Sequence, residues 1–127
     1  MLETFTIEGA FGAIKSAASI AHAESLVNNN PASVTLEGET IDMVNGYPQA
    51  IDITAANTSG GILEAAQISA DDFTIDSTNA GAAAGAIIIV RGIGAPAASV
   101  AANTCRISYT AAAANASPTI EIDDSGC

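Results

Sequence analysis

Apolar positions in the first thirty residues recur with a helical period. Ile7, Phe11, Ile14, Ala18, Ala21 and Ser25 follow a 4-3-4-3-4 spacing, which draws one mostly apolar stripe along a helix. Glu8 and Lys15 fall on the opposite side. The predicted helix occupies 4–28, with Thr4 or Thr6 as N-cap and Glu3 and Glu8 near the positive end of its dipole. Asn28-Asn29-Asn30-Pro31 stops it, because Asn tolerates the left-handed cap conformation and Pro31 cannot continue a helix. At about 1.5 Å per residue this helix is long for a small domain. No second helical pattern of similar length follows, so the helix is expected to be the spine on which a sheet packs.

Beyond Pro31 the period changes to two. Val34, Leu36, Ile41 and Met43 alternate with Thr35, Glu37, Thr40 and Asp42, predicting strands 33–37 and 39–44 joined at Gly38 as a β-hairpin. Asn45-Gly46-Tyr47-Pro48 is a turn signal expected to break the sheet. Residues 62–68 suit a two-turn helix burying positions 62, 65, 66 and 68, and 71–76 a short edge strand. Residues 79–85 read as an Ala/Gly loop. Ala86 to Arg91, with three consecutive isoleucines and a valine, is the strongest strand, and its continuous apolar run predicts burial on both faces. Residues 97–104 read as loop, 105–110 as a strand and 118–123 as the last strand. One long helix followed by mostly antiparallel strands is an α+β order. It predicts a single domain over 1–127, with helix 4–28 packed on an antiparallel β-sheet built from hairpin 33–44 and region 86–123.

Composition narrows the function classes. The net charge is -11, and Lys15, Arg91 and Arg106 are the only lysine and arginine side chains. Nucleic-acid binding requires basic side chains to displace counterions, so it is excluded as a function, and anionic membrane surfaces are disfavoured for the same reason. Of the 49% hydrophobic residues, 28 are alanines, so the core is thin and a covalent tie would help it. The start Met1-Leu2-Glu3 has neither a basic segment nor an apolar core of a signal peptide. The longest large-apolar run, Ala86 to Val90, is far too short to span a bilayer. Either the chain is soluble as it stands, or a leader and anchor have been removed from it.

Few residues offer chemistry. Cys105 and Cys127 lack the spacing of a zinc site, and a thiol nucleophile would have only His22 as a base. They read as a disulfide tying the C-terminal tail to the sheet in an oxidising compartment, or else as two buried thiols. His22, alone on the helix, reads as a surface or satisfied residue rather than a catalyst. Asp71-Asp72 and Asp123-Asp124 do not match a calcium loop and read as solvated turns, so no metal is expected. Gly92-x-Gly94 is a very weak phosphate loop. Asn57-Thr58-Ser59 and Asn115-Ala116-Ser117 are glycosylation tripeptides of a kind that chance supplies often. With no Ser-His-Asp set and no nucleophile elbow, an enzyme and a cofactor are not expected.

Several stretches taken together resemble type IV pilins, and most closely those of the mannose-sensitive haemagglutinin (MSHA) class. They are Gly12-Ala13-Ile14-Lys15-Ser16-Ala17-Ala18-Ser19-Ile20-Ala21-His22-Ala23, Val44-Asn45-Gly46-Tyr47-Pro48-Gln49-Ala50, Cys105-Arg106-Ile107-Ser108-Tyr109-Thr110, and Pro118-Thr119-Ile120 through Ser125-Gly126-Cys127. The resemblance spans nearly the whole chain and rests on the order of these segments and the terminal Gly-Cys. It implies a pilin-like fold, one long helix on an antiparallel sheet, with a C-terminal loop closed by Cys105 and Cys127. It also implies a structural subunit of an extracellular bacterial filament serving adhesion or surface attachment. Its partners would be other pilin subunits, the pilus assembly machinery and, before assembly, the inner membrane. Residues 4–28 would match the soluble second half of the pilin helix, and the apolar membrane half would precede them. A secretion-system pseudopilin is a variant of this reading, and a small extracellular adhesin or sugar-binding module is a rival to it.

Overall fold

The structure, a computed structural model, describes residues 2–52, 59–69, 73–92 and 105–124, with side chains from Ile7 onward. Helix α1 runs Leu2–Val27, 26 residues, so Thr4 and Thr6 lie inside it and neither is its N-cap. Its other end follows the sequence reading. Asn29 and Asn30 are left-handed, at φ 62° and 53°, and the Asn30 amide donates to the Ser25 carbonyl at 2.7 Å. That bond reaches back over the last turn and satisfies a carbonyl that would otherwise lack a helical partner. The Asn28 side chain donates to the Glu24 carbonyl at 2.9 Å and closes the same end.

The buried stripe is Ile7, Ala10, Ile14, Ala17, Ala18, Ala21 and Ser25. Compared with the predicted stripe it is turned toward Ala10 and Ala17, and Phe11 moves to a half-buried rim. There the Lys15 ammonium lies 5.1 Å from the Phe11 ring centroid, a cation–π contact at the water boundary. The small alanines let the helix approach the strands closely, and Phe11 is too large for that seam.

The strands form two antiparallel meanders instead of one sheet. The first contains β1 (Ser33–Leu36), β2 (Glu39–Val44) and β3 (Tyr47–Pro48). Leu36 pairs with Glu39 across a two-residue turn in which Glu37 and Gly38 both have positive φ, the mirror-image turn that suits strand twist. Asn45-Gly46 repeats the device, at φ 52° and 85°, so Val44 pairs with Tyr47. The expected break in the sheet is thus a second hairpin. Gly60 then pairs beside Ile41 on the side of β2 that short β3 leaves open.

Helix α2 is one turn, Ile62–Ala65, shorter than the sequence reading, because Gln67 turns left-handed at φ 59°. It buries Ile62 as expected and Leu63 in addition, while Ala65, Ala66 and Ile68 are half-buried against the core. The second meander is β4 (Phe73–Asp76), β5 (Ile87–Gly92), β6 (Arg106–Thr110) and β7 (Thr119–Asp123). Register places Ile75, Val90, Ile107 and Ile122 in one row, and Ile88, Tyr109 and Ile120 in the next. Both rows pack with the helix stripe in the main core. Strand β5 is not buried on both faces as its composition suggested. Ile88 and Val90 are buried, whereas Ile87 and Ile89 are half-buried, as befits an antiparallel sheet whose helix covers one side.

Helix α1 joins the two halves. Its stripe from Ile7 to Ala18 belongs to the main core over the second meander, and Ala21 packs with Val34, Ile41 and Met43 of the first. The architecture is α+β, one long N-terminal helix on antiparallel sheet. Among the described residues no helix is long and apolar enough to cross a membrane.

Candidate functional site

Hydrogen bonds between the meanders converge near the end of α1. The Tyr109 hydroxyl donates to the Pro48 carbonyl at 2.6 Å, and the Asn45 side-chain amide donates to the Ala112 carbonyl at 2.7 Å. Burial holds the Tyr109 phenol far above its ordinary pKa, so it remains a neutral donor at any physiological pH.

His22 is brought to the same place. Its Nδ1 lies 2.7 Å from the Gly46 carbonyl oxygen, and because a carbonyl only accepts, Nδ1 carries the proton. The imidazole stacks on the Tyr47 ring with centroids 4.0 Å apart and planes within 6°. The sequence expectation of a satisfied histidine holds for its hydrogen bond and its packing. The aromatic partner was not foreseen, since 25 residues separate the two rings and no spacing rule links a helix residue to a turn residue. Gly46 makes the approach feasible: a Cβ there would lie 3.3 Å from His22 Nδ1 and 3.4 Å from Asn30 Oδ1.

Beside this stack lies an open groove of about 700 Å3 between the end of α1, the β2–β3 turn and the 114–117 turn. His22, Tyr47, Asn30, Asn45, Asn115 and Ser117 supply its polar groups. Among the described residues no carboxylate lines it.

Charge chemistry is placed elsewhere. On β5, Arg91 is 3% exposed and its Nη2 lies 3.1 Å from Asp76 Oδ2. Asp76 also accepts from the Thr78 amide at 3.0 Å, and the Thr78 and Arg91 hydrogen bonds hold its carboxyl below the usual range. Glu64 accepts from the Gly61 amide at 2.9 Å, yet burial pushes its pKa up. Glu8 is raised by a side-chain hydrogen bond to Asp124 and by that neighbour's charge. Asp123 ends β7, and Asp124, which follows it, interacts with Glu8 of the helix rather than standing in a free turn. Among the described residues no three His, Cys, Asp or Glu side chains gather as metal ligands.

Cys105 is 5% exposed at the start of β6, and no free cysteine is found among the described residues. Its expected partner Cys127 lies outside the described residues, as do Asp71-Asp72, Gly94 and Asn57-Thr58. Asn115 is described and sits in an exposed turn at φ 60°.

No family model, no curated protein and no solved structure matches the chain.

Proposed function

We propose that this chain is the globular head of a type IV pilin-like structural subunit, close to the MSHA class, that builds an extracellular filament on a bacterial surface. The observation that carries the reading is α1: a 26-residue N-terminal helix whose single buried stripe runs under both meanders, from Ile7 to Ser25. A helix laid out as the spine of the whole domain suits a subunit that assembles through its N-terminal side. In this reading an apolar half-helix precedes residue 4, anchors the subunit in the inner membrane before assembly and then packs in the filament core. Other pilin subunits and the assembly machinery are the partners. Head-to-tail contacts that do not close generate a fibre, and the net charge of -11 keeps free heads apart. The proposal includes a Cys105–Cys127 disulfide holding the C-terminal segment, and no catalytic step.

The test joins the head to an apolar pilin half-helix with a leader and expresses the precursor in a piliated bacterium lacking its own major pilin. Filaments sheared from the cells should contain the subunit. Full processing and export-competent membrane insertion without any subunit in filaments would overturn the reading.

A further inference from the structure

We propose that Asn45-Gly46 is a modification site gated by the fold: a deamidation site that the native turn holds unreactive, and whose reaction with water makes an opening of that turn permanent. The inference stands on the β2–β3 turn and its contacts and does not depend on filament assembly.

The chemistry is local. Asn45 is the only asparagine of the chain that glycine follows. Glycine puts no Cβ beside its own amide nitrogen, so that nitrogen can reach the preceding side chain. The Gly46 nitrogen loses its proton to solvent base and attacks Asn45 Cγ. The N–Cγ bond forms, the Cγ–Nδ2 bond breaks, and Nδ2 takes up a proton and leaves as ammonia. Water then opens the cyclic imide at either carbonyl, adding OH to the carbon and H to the Gly46 nitrogen. The product at position 45 is an aspartyl or an isoaspartyl residue. Water is consumed, ammonia is released and no oxidation state changes. Asn45 is exposed, so water reaches it.

The native turn blocks the first step in three ways. Asn45 and Gly46 have φ of 52° and 85°, and Val44 pairs with Tyr47, which defines the mirror image of the common type I turn. The first central residue of such a turn has ψ of about +30°. That angle swings the Gly46 nitrogen toward the amide nitrogen of Asn45 itself and away from Cβ, which carries the Cγ to be attacked. Next, Asn45 Nδ2 donates to the Ala112 carbonyl at 2.7 Å and holds the carboxamide out of reach. Finally, the Gly46 carbonyl accepts from His22 Nδ1 at 2.7 Å, and Tyr47 stacks on the same imidazole. The peptide cannot turn over without leaving α1. Reaction therefore requires the turn to part from both α1 and the Ala112 segment.

Once formed, the product cannot restore the tie. At neutral pH a carboxylate, which only accepts, stands where the carboxamide donor stood. Ala112 is fully buried and its carbonyl is also an acceptor, so two acceptors would face each other. The isoaspartyl form in addition routes the main chain through Cβ, which adds an atom between Val44 and Tyr47 and spoils their pairing. A transient local opening is thereby recorded as a covalent change.

The experiment incubates the full chain at mildly alkaline pH, in native buffer and in guanidinium chloride at equal pH and temperature. Peptide mapping by mass spectrometry follows the exchange of NH2 for OH at position 45, and enzymatic methylation of isoaspartyl carboxylates marks the second product. In denaturant Asn45 should convert faster than any other asparagine. In native buffer its conversion should be at least about tenfold slower, the factor given by an opening free energy of only about 1.4 kcal/mol. Tyr109→Phe and His22→Ala each remove a contact that seats the turn or the strand after it. Both should quicken native conversion and leave the rate in denaturant unchanged. Asn45→Asp should melt below the unmodified chain at neutral pH. Equal rates in native buffer and denaturant would overturn the proposal, as would an Asn45 that does not convert in denaturant. So would a native rate that neither variant changes, or an Asn45→Asp chain as stable as the unmodified one.

Discussion

Gly46 shows how one residue can hold two elements together. Its φ of 85° lies in the left-handed region, and His22 Nδ1 and Asn30 Oδ1 approach the place where a Cβ would stand. Gly46→Ala therefore meets backbone strain and a crowded neighbour at once. It should cost about 1–3 kcal/mol in urea unfolding and disturb the His22–Tyr47 stack. On α1, burial separates two neighbours that the sequence placed together. Ile14 is fully buried, so Ile14→Ala should cost about 2–5 kcal/mol. Phe11 is half-buried against Lys15, and Phe11→Ala should cost less than Ile14→Ala in the same melts. Lys15→Ala should change stability by no more than about 0.5 kcal/mol. Equal effects at Phe11 and Ile14 would place the helix in a different rotation.

At the scale of elements, the two meanders are tied by a few side chain–backbone bonds besides the core. Tyr109→Phe removes the 2.6 Å bond to the Pro48 carbonyl and leaves that buried acceptor without its donor. The expected loss is about 1–3 kcal/mol, and amide exchange in β3 should quicken more than in β5. The elements themselves were largely legible. The 3.6 period found the helix, the Asn run found its end, and period two found both strands of the first hairpin. Three misses have physical causes. Thr4 and Thr6 carry cap chemistry, but a cap can act only where a helix starts, and this one starts earlier. Asn45-Gly46 was recognised as a turn, yet a turn signal cannot say whether the chain re-pairs afterwards. The run Ile87 to Val90 is apolar on both faces, but burial depends on how many layers cover the sheet. The candidate site was not legible at all as a place. Its groups come from α1, the β2–β3 turn and the 114–117 turn, and only tertiary packing makes them neighbours.

At the scale of the molecule, acidic groups set the response to pH. Glu8 and Glu64 have folded-state pKa values above their ordinary ones, so each is protonated more readily in the folded chain than in the unfolded one. Their favourable contribution is present below the unfolded pKa and is lost as pH rises through the folded one. Asp76 has the opposite sign. It is held below its ordinary value, so its contribution is present above that value and is lost as pH falls through the folded pKa. The melting temperature should therefore rise as pH is lowered through the raised Glu8 and Glu64 values toward the ordinary glutamate range, and fall again below the ordinary aspartate range. Thermal melts at constant ionic strength test this. Glu8→Gln should flatten the upper limb, and a stability that does not rise as pH falls toward the ordinary glutamate range would contradict the assignment. The proposed Cys105–Cys127 tie belongs to this scale as well. Closing the segment between them should contribute on the order of 3 kcal/mol, so Cys105→Ser should leave the C-terminal strand open to limited proteolysis. An unreduced mass showing two free thiols would remove the bridge from the proposal.

From Ile7 onward the seam under α1 is made mostly of small side chains. Among the described side chains of this seam, Ile7 and Ile14 are the two fully buried large groups, and Ala10, Ala17, Ala18, Ala21 and Ser25 are the other buried ones. Under a pull along the helix axis, alanines offer little to catch on, whereas each isoleucine is a peg seated between strands. Mechanical grip is thus concentrated in the half of the helix that lies over the four-stranded meander. Once those two pegs slip, the remaining contact is a smooth track along which the helix can slide before the strands themselves part.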